Sequence, residues 1–555
     1  MSVLAQGNAS SRGVEEDILV PLLARLTTIS ALLDSAADPA TREGSSGTPP
    51  PAPVVVSDDE EQHDRLRAEA RMLLEKVRRE MVQLEDVFRR VDNAEKHIRY
   101  CFDPVERHLD EALQQEPPDA ERIHAGLVAV DAGIGAVKAS IHETLELKLQ
   151  GCVLCLAAFP DGAVIKKRLL IHWWLAEDFV RSASEGNDRF NELVDKGFIV
   201  PSSPASTMVV CGTVHRCTSS GFSAAVRAIC NIGHKYVELN DRWFGGKNKR
   251  KDLRVLQLGH WREFTTREQI ADPMASHIEI SGVERLRDMA SSCKNLRYIS
   301  FRGISGIESL PDSIGKLRQL LVLDLRACHN LEELGQGVTK LDRLQYLDLS
   351  ECHLLIGVPR GLGQLTQLEI LKGFVVANSN SNDLCHLNEL TKLEKLRKLG
   401  IIIGKMAVPT EDEFHKLGEF KALQSLKIVW GVLTSVKNNG NTEASPLVKM
   451  KFALPPNLTK LDLHCFPFTD FAHWIRPTGV KKLYIRGGKL ATLGDEEEWE
   501  TEVLRLRFLV DLHCDHGSLR RSFSKLKPEK IEIHECPNFF CPGSNDVGES
   551  AECQS

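Results

Sequence analysis

Paired cysteines are the first residues in this 555-residue chain whose spacing could do chemistry. Cys152 and Cys155 have the C-x-x-C spacing of two zinc ligands, but no second pair of cysteines or histidines completes a set of four. They lie in the apolar stretch LKLQGCVLCLAAF, which favours buried free thiols instead. Cys536 and Cys541 also lack further ligands. We therefore expect no metal site.

A nucleotide site would need a phosphate-binding loop of the form G-x-x-x-x-G-K-[ST]. In such a loop, backbone N–H groups hold the phosphates while the lysine and the hydroxyl reach the outer phosphate and the metal ion. The sequence contains no such string, and the nearest approaches, residues 245–248 and 315–317, lack the hydroxyl after the lysine. His172 and His215 have no carboxylate or thiol at catalytic spacing. We expect no cofactor and no enzymatic activity.

Leucines, rather than polar residues, show the strongest regularity. Leu296, Leu320, Leu344 and Leu368 are each 24 residues apart, and a leucine or isoleucine follows each of them after three residues. This period lies within the roughly 20–29 residues of a leucine-rich repeat, in which every repeat adds one short strand and stacked repeats bury their leucines together. Looser copies begin at Leu396, Leu423, Leu458, Val480 and Ile531.

Polar residues between the repeat leucines are the candidates for binding. Successive side chains of a strand point to opposite faces, so these residues should line the concave surface of the stacked repeats. We expect a mixed-charge surface that binds a protein, with a solvated, non-binding role as the alternative for any single residue. The candidates are Arg297, Arg302, Asp324, Arg326, Asp348 and Lys398.

The composition is that of an ordinary globular protein. The chain has 70 Lys and Arg against 77 Asp and Glu, a net charge of −7, with 42% hydrophobic residues. This balance disfavours a nucleic-acid polyelectrolyte and a wholly disordered chain. The 15 scattered cysteines, the absence of signal-peptide features and the absence of a long apolar run predict a cytoplasmic protein with reduced thiols.

Helical patterns occupy the part of the chain before the repeats. Apolar residues in steps of three and four predict helices over residues 14–34, 57–91 and 119–149. The long stripe of the second helix suits a coiled-coil or bundle seam. Residues 34–53 are rich in Ala, Ser, Gly and Pro, which predicts a flexible linker.

Three blocks of sequence resemble plant nucleotide-binding leucine-rich-repeat disease-resistance proteins. The stretch LKLQGCVLCLAAFPDGAVIKKRLLIHWWLAEDFV, followed by FNELVDKGFIV, closely resembles the winged-helix segment of that family. The stretch VRREMVQLEDVFRRVD resembles the acidic helix motif of its coiled-coil domain, and SLPDSIGKLRQLLVLDLRAC resembles its repeats. The resemblance covers most of the chain from about residue 60 onwards.

The family's nucleotide-binding module is what the resemblance lacks. In the family, the module carries the Walker motifs and lies between the coiled coil and the winged helix. Here only 52 residues separate Asp92 from Leu145, which are too few for a typical domain of that kind. His215 matches the histidine of the family's ADP-sensing triplet, but Arg216 stands where the family has Asp. We therefore interpret His215 as a remnant of that sensor.

These observations predict a multidomain chain with an α-helical, coiled-coil-like N-terminal region, a winged-helix domain and a C-terminal leucine-rich-repeat solenoid, an α/β horseshoe. The predicted segments are an N-terminal helix with a linker (1–56), a coiled-coil-like region (57–118), a helical connector (119–145), a winged-helix domain (146–250), the repeats (251–540) and a tail (541–555).

The resemblance implies a non-enzymatic plant immune protein. Its repeats would bind a pathogen-derived effector or a guarded host protein, and its helical regions would pair with full-length immune receptors. No nucleic-acid partner is expected, and membrane association and oligomeric state stay open. The alternatives are an ADP- or ATP-binding receptor switch, a DNA-binding regulator that uses Lys166, Lys167 and Arg168 of the winged helix, and a degenerate gene product.

Overall fold

The chain divides into two compact units, Met1–Ala224 and Ala225–Ser555. The computed structural model describes residues 20–35, 65–78, 110, 120–143, 146–156, 158–159, 163–196, 198–201, 208–211, 227–231, 234–239, 252–261, 277–377, 381–404, 414–431, 453–470, 479–493 and 499–540. His215 and the tail at 541–555 lie outside these ranges, as do residues 36–53 of the predicted linker and residues 79–92 of the stretch that resembles the acidic helix motif.

The described residues in the first part of the first unit form the helices α1 (Val20–Ser35), α2 (residues 65–78) and α3 (Ala120–Glu143). Each buries an apolar stripe in steps of three or four residues, such as Leu127, Val130 and Ile134 in α3. Two ion pairs flank these stripes: Arg25 Nε lies 2.8 Å from Asp110 Oδ1, and Lys76 Nζ lies 3.0 Å from Asp131 Oδ1. The helices predicted over residues 14–34, 57–91 and 119–149 overlap α1, α2 and α3 respectively. The assignment of this region as a coiled coil stays a prediction.

The second part of this unit combines helices α4 (Leu147–Leu156), α5 (Lys167–Ala176) and α6 (Ala183–Asp195) with a small sheet. Strands β1 (Val164–Lys166), β2 (Ile199–Pro201) and β3 (Met208–Cys211) pair antiparallel in the order β1-β3-β2. Ser182 caps α6, because its Oγ accepts a hydrogen bond from the Glu185 N–H. The winged-helix assignment of this region stays a prediction.

Helix α5 lies in the core of that small unit. Trp173 and Trp174 are both buried, and Trp174 Nε1 donates to the Cys152 carbonyl at 3.1 Å. Cys152 and Cys155 are buried and free, as predicted, and burial raises the pKa of Cys152 to about 12. Burial also raises the pKa of Cys155, so both thiols are protonated and therefore weak nucleophiles.

The second unit is built on one sheet of 12 parallel strands. Its strands are β4 (Ala228–Cys230), β6 (Val255–Gln257), β8 (Tyr298–Ser300), β10 (Val322–Asp324), β12 (Tyr346–Asp348), β13 (Ile370–Val375), β14 (Lys398–Ile403), β15 (Ser425–Trp430), β16 (Lys460–Phe466), β17 (Lys482–Gly488), β18 (Val503–Arg507) and β20 (Ile531–His534). They are hydrogen-bonded in the order β20-β18-β17-β16-β15-β14-β13-β12-β10-β8-β6-β4.

Short elements accompany this sheet. The further strands are β5 (Tyr236–Glu238), β7 (Glu279–Ser281), β9 (Ser309–Leu310), β11 (Glu333–Leu334), β19 (Cys514–Asp515) and β21 (Phe539–Phe540), and the helices are α7 (Leu286–Ser292) and α8 (His516–Ser522). Turns of 3₁₀ helix, such as Asp312–Lys316 and Gln336–Lys340, connect the central repeats.

The register of the strands confirms the predicted repeat. Ile299 pairs with Leu323, Leu323 with Leu347, and Leu347 with Leu371, and all four side chains are fully buried. The leucines of successive repeats thus stack into one continuous hydrophobic core, which no single repeat could form.

The sheet extends beyond the predicted repeats at two places. Strand β4 begins at Ala228, before the predicted start of the repeats at residue 251. It was not predicted from the sequence, because its Ala-Ile-Cys sequence carries no leucine pattern. Strand β18 was not predicted, since Thr501 occupies the place of its first leucine. Thr501 is fully buried there and donates its hydroxyl to the Val480 carbonyl at 2.9 Å, which satisfies the polar group inside the core.

A left-handed turn ends many of these strands. Gly303, Ala327 and Glu351, each 24 residues apart, have φ of 75°, 58° and 65°, and Phe508 has φ of 58° at the corresponding place. A positive φ at a non-glycine residue often marks a functional site. Here it recurs from repeat to repeat, so it belongs to the geometry of the repeat.

Close stacking of adjacent 3₁₀ turns predicts a steric requirement at Gly337. A Cβ at Gly337 would lie 2.1 Å from the Asp312 carbonyl oxygen, whereas a Cβ at Gly404 would meet nothing within 4 Å. We expect Gly337→Ala to lower the free energy of unfolding by about 1–3 kcal/mol, because the turns must move apart. Gly404→Ala, the matched control, should be neutral or slightly stabilising. Urea denaturation followed by circular dichroism would measure both, and equal midpoints for the two variants would contradict the prediction.

Candidate protein-binding surface

Side chains that alternate with the buried leucines form the second face of the parallel sheet, here called the open face. Strand register aligns its residues into rows that run across the sheet. One row holds Gln257, Ser300, Asp324 and Asp348, which are paired from strand to strand. A neighbouring row holds Tyr298, Val322 and Tyr346. The open face is the surface that the sequence predicts as concave and protein-binding.

Neutral hydrogen bonds occupy the N-terminal end of the open face. Tyr298 Oη donates to Gln257 Oε1 at 2.6 Å, and Gln257 Nε2 donates to the Gly259 carbonyl at 2.8 Å and to Ser300 Oγ at 3.3 Å. Tyr298, Gln257 and Ser300 are all buried, and burial raises the pKa of Tyr298. The polar atoms of this end are therefore used within the protein.

Asp348 is a buried carboxylate at the centre of the open face, with 1% of its surface exposed. Its Oδ2 accepts hydrogen bonds from Tyr346 Oη at 2.5 Å and from Lys372 Nζ at 2.9 Å, and its Oδ1 accepts one from the Ser350 N–H at 3.1 Å. A buried charge is tolerated only when it is paired and hydrogen-bonded in this way.

Opposite charges also compensate one another around Arg326. Arg326 Nη2 lies 2.7 Å from Glu351 Oε1, and the backbone N–H of Arg326 donates to Asp324 Oδ1 at 3.1 Å. Burial would lower the pKa of Arg326, but the hydrogen bond and the charge of Glu351 raise it overall. Burial lowers the pKa of the adjacent Arg302, although Asp324 opposes this effect. We name residues Arg302, Asp324, Arg326, Asp348, Glu351 and Lys372 the balanced cluster.

The C-terminal strands carry a different charge pattern, here called the basic surface. Cationic side chains occur on the open face of every strand from β14 to β18, and they number seven against the two carboxylates of Asp462 and Glu532. They are Lys398, Lys427, Lys460, Lys482, Arg486, Arg505 and Arg507. The chain as a whole is net acidic, so this excess of five positive charges is local.

Tyr484 lies at the middle of the basic surface. Lys460 Nζ lies 4.3 Å from the centroid of its ring, and the guanidinium carbon of Arg505 lies 4.6 Å from it. Burial lowers the pKa of Lys460. The charge of Asp462 opposes this effect, whereas the charges of Arg505, Lys427 and Lys398 lower the pKa further. Cation–π contacts therefore hold together positive charges that repel one another.

Three adjacent histidines form a further cluster in this unit. The ring of His277 meets that of His329 edge to face at 5.0 Å, and the rings of His329 and His353 are stacked at 5.6 Å. Burial and the charges of His277 and His353 lower the pKa of His329, while Glu351 opposes them. Burial and the neighbouring imidazoles thus favour the neutral form of His329.

The structure separates the residues that the sequence grouped together. Four of the predicted residues, Arg302, Asp324, Arg326 and Asp348, do come together in the balanced cluster. Lys398 belongs to the basic surface instead, and Arg297 lies half-buried just before β8. Sequence reasoning missed Lys372, Lys427, Tyr484 and Arg505. Counting two residues past the first position of each strand would have found them, because the strands stay in register.

The candidate DNA-reading residues of the first unit are engaged internally. Lys167 Nζ lies 4.2 Å from the centre of the Phe190 ring, and burial lowers its pKa. The rest of α5 is an apolar segment whose Leu170, Ile171 and Trp174 side chains are buried. This geometry gives the DNA-binding alternative no support, because a recognition helix presents polar side chains to the groove.

Within the described ranges, His, Cys, Asp and Glu side chains form no group of three or more that could hold a metal ion. Among the helices in those ranges, none has the length and apolarity needed to cross a bilayer.

The buried pair of Asp348 and Lys372 leads to a stability prediction. Lys372→Met should lower the free energy of unfolding by about 1–3 kcal/mol, because it leaves the Asp348 carboxylate buried without a cation. Adding Asp348→Asn to that variant should recover part of the loss, since the carboxylate is then neutral. Urea denaturation of the four proteins of this cycle measures the coupling. A double variant that loses the sum of the two single effects would contradict the prediction.

The histidine cluster leads to a pH prediction. The folded state holds the pKa of His329 below the ordinary value of about 6.5, so the unfolded chain binds more protons as the pH falls through that value. Stability should therefore fall on acidification below about pH 6.5 and be insensitive to this group above it. His329→Gln should flatten this acid-side loss. Thermal denaturation of both proteins at pH 7.5 and pH 5.5 provides the measurement, and parallel losses in both would contradict it.

Comparisons with known proteins agree with this architecture. Residues 253–497 match the family described as leucine-rich repeat region. The chain is 27% identical over 490 residues to "Disease resistance RPP13-like protein 4" of Arabidopsis thaliana, a match that covers 81% of this chain and 55% of the relative. The chain thus spans about half the length of the curated relative it matches.

Solved structures that match part of the chain include internalin C2 from Listeria monocytogenes, with 18% identity, a TM-score of 0.23, and coverage of 39% of this chain and 73% of that one. Another is the Arabidopsis receptor kinase HAESA in complex with the peptide hormone IDA and the co-receptor SERK1. It shows 13% identity, a TM-score of 0.26, and coverage of 55% of this chain and 57% of that one. Residues 253–497 of this protein form a leucine-rich repeat region, and the chain is related in sequence to a plant disease-resistance protein.

Proposed function

We propose that this chain is a non-enzymatic plant immune protein whose leucine-rich repeats bind another protein through the open face of the sheet. The observation that carries the proposal is the alignment of charged side chains from successive repeats into one surface, with a balanced cluster at one end and the basic surface at the other. Sequence similarity to a disease-resistance protein supports the immune setting. The bound protein would be a pathogen-derived effector or a guarded host protein.

The first unit would pair with a full-length immune receptor. The exposed apolar side chains on its helices are the candidates for that contact: Met72 on α2 is 68% exposed and Val128 on α3 is 47% exposed. We further propose that α4 to α6 and the strands β1 to β3 form a winged helix that connects the helices to the repeats. In this scheme the partner receptor supplies the nucleotide-driven switch, and the protein acts in the cytoplasm.

Site-specific photo-crosslinking tests the proposed binding face. A photoreactive amino acid is placed in the full chain at Ser350, Ser425 or Val503 on the open face, and at Lys392 or Lys421 as matched positions outside the sheet. The purified proteins are incubated with leaf extract from plants challenged with a pathogen, and adducts are identified by mass spectrometry. We expect the same plant or pathogen protein to be captured from the open-face positions alone.

Capture that is equal at Lys392 and Lys421, or absent at all three open-face positions, would overturn the proposed function. Recovery of a full-length receptor that depends on Met72 and Val128, tested with the Met72→Gln and Val128→Gln variants, would support the proposed pairing of the first unit. Unchanged recovery with both variants would count against that pairing.

A further inference from the structure

We propose that the basic surface binds a short, extended, acidic segment of the partner protein, with an apolar side chain next to its carboxylates. This inference rests on the proposed function and names the chemistry of the partner at one part of the open face. Lys460 on β16 lies among Lys398 on β14, Lys427 on β15 and Arg505 on β18, and their positive charges repel its own. An anionic ligand would relieve this repulsion.

The dimensions of the basic surface suit a short peptide. Strands in a sheet lie about 4.8 Å apart, so the five strands β14 to β18 span about 20 Å, a distance that about six residues of an extended chain would cross. Within this span, Lys427 lies on β15, Lys482 on β17 and Arg505 on β18. Carboxylates spaced along an extended segment could therefore meet cations from several repeats.

The carboxylates of the basic surface are already in use. Asp462 Oδ1 lies 3.0 Å from His464 Nε2, and Glu532 lies 2.8 Å from Arg505 Nη2 and 3.3 Å from Arg507 Nη2. Burial would raise the pKa of Asp462, but the hydrogen bond with His464 and the nearby lysines lower it. The hydrogen bond from His464 and the nearby lysines thus favour the anionic form of Asp462. Two carboxylates against seven cations leave most of the positive charge uncompensated.

Within the described part of the chain, Lys427, Lys482 and Arg486 have no carboxylate within the 4.0 Å of an ion pair. Lys482 and Arg486 are exposed, and Lys427 is half-buried between neighbouring strands. An anion that replaces the water around these three cations would form charge-assisted hydrogen bonds with them, which are stronger than neutral ones. They are the groups that would make the new contacts.

An apolar contact is available at the end of β18. Phe508 follows this strand, is 40% exposed, and has the guanidinium carbon of Arg486 at 5.2 Å from its ring centroid. Aromatic and arginine side chains dominate the energetics of protein interfaces. An acidic segment that also carries an apolar residue would use Arg486 and Phe508 together, which a purely electrostatic ligand would not.

A nucleic acid fits this surface less well than a peptide. Single strands bind by stacking their bases on open aromatic rings, but the ring of Tyr484 already has Lys460 and Arg505 over it. Asp462 and Glu532 would also repel phosphates. The net charge of −7 further opposes the general attraction of a polyanion.

Fluorescence polarisation on the full chain tests the inference. The probe is a labelled peptide pool in which Asp or Glu alternates with apolar residues, and the matched pool carries Asn or Gln instead. We expect the acidic pool alone to bind, with an affinity that falls as salt is added. The variant Lys427→Gln/Lys482→Gln should weaken this affinity about tenfold, because two charge-assisted contacts are lost.

Two further proteins complete the design. The control variant Lys392→Gln/Lys421→Gln removes the same charge from exposed positions outside the sheet, and its affinity should equal that of the wild type. Phe508→Ser should weaken binding of the acidic pool but leave unchanged the binding of a pool in which Ser replaces the apolar residues. Circular dichroism of each variant verifies that it is folded.

Several results would overturn the inference. One is equal binding of the acidic and the neutral pool, or an unchanged affinity in Lys427→Gln/Lys482→Gln. Another is tighter binding of a single-stranded DNA of equal charge. A third is binding that appears only after neutralising the acidic run Asp58–Glu61 of this chain, which would make the chain itself the occupant. The proposed function would survive each result, provided that crosslinking from Ser350, Ser425 or Val503 still captures a protein.

Discussion

The in-register stacking of leucines between parallel strands is the interaction on which the rest of the second unit depends. Ile299, Leu323, Leu347 and Leu371 are fully buried in one row, and each is paired with the next. Because side chains of a strand alternate between its faces, a slip of one residue would turn every leucine to solvent. The register that buries the leucines therefore also decides which polar residues meet on the open face.

One consequence is that the open face is not uniform. Near its centre, buried Asp348 pairs with half-buried Lys372, and Arg326 is compensated by Glu351. Such groups are engaged with one another, and exposing them to a partner would require breaking contacts that stabilise the fold. On the C-terminal strands, Lys427 and Lys482 have no carboxylate within 4.0 Å among the residues that the structure describes. The same register thus builds an internally compensated region near the centre and an excess of positive charge on the C-terminal strands.

The first unit packs helices rather than the strands of a repeat. Its helices α1 to α3 bury narrow stripes and add ion pairs such as that of Lys76 with Asp131 at 3.0 Å. Helix α5 is apolar over most of its surface, and the Trp174 indole reaches the Cys152 carbonyl of α4. Leu170, Ile171 and Trp173 to Ala176 of α5 are buried, so the segment that follows the basic residues packs in the core of this region.

The sequence by itself determined the repeat, the core of the central repeats and the buried state of Cys152, because 24-residue leucine spacing and local apolar context are sufficient for each. It also assigned Asp324 and Asp348 to the polar face of the strands, since they alternate with the repeat leucines. Only the tertiary structure decided that Lys398 lies with Lys460 and Arg505, and that Thr501 replaces a core leucine. The later repeats differ in length, so equal spacing no longer identifies equivalent residues. Strand pairing, which depends on backbone hydrogen bonds between distant segments, then sets the neighbours.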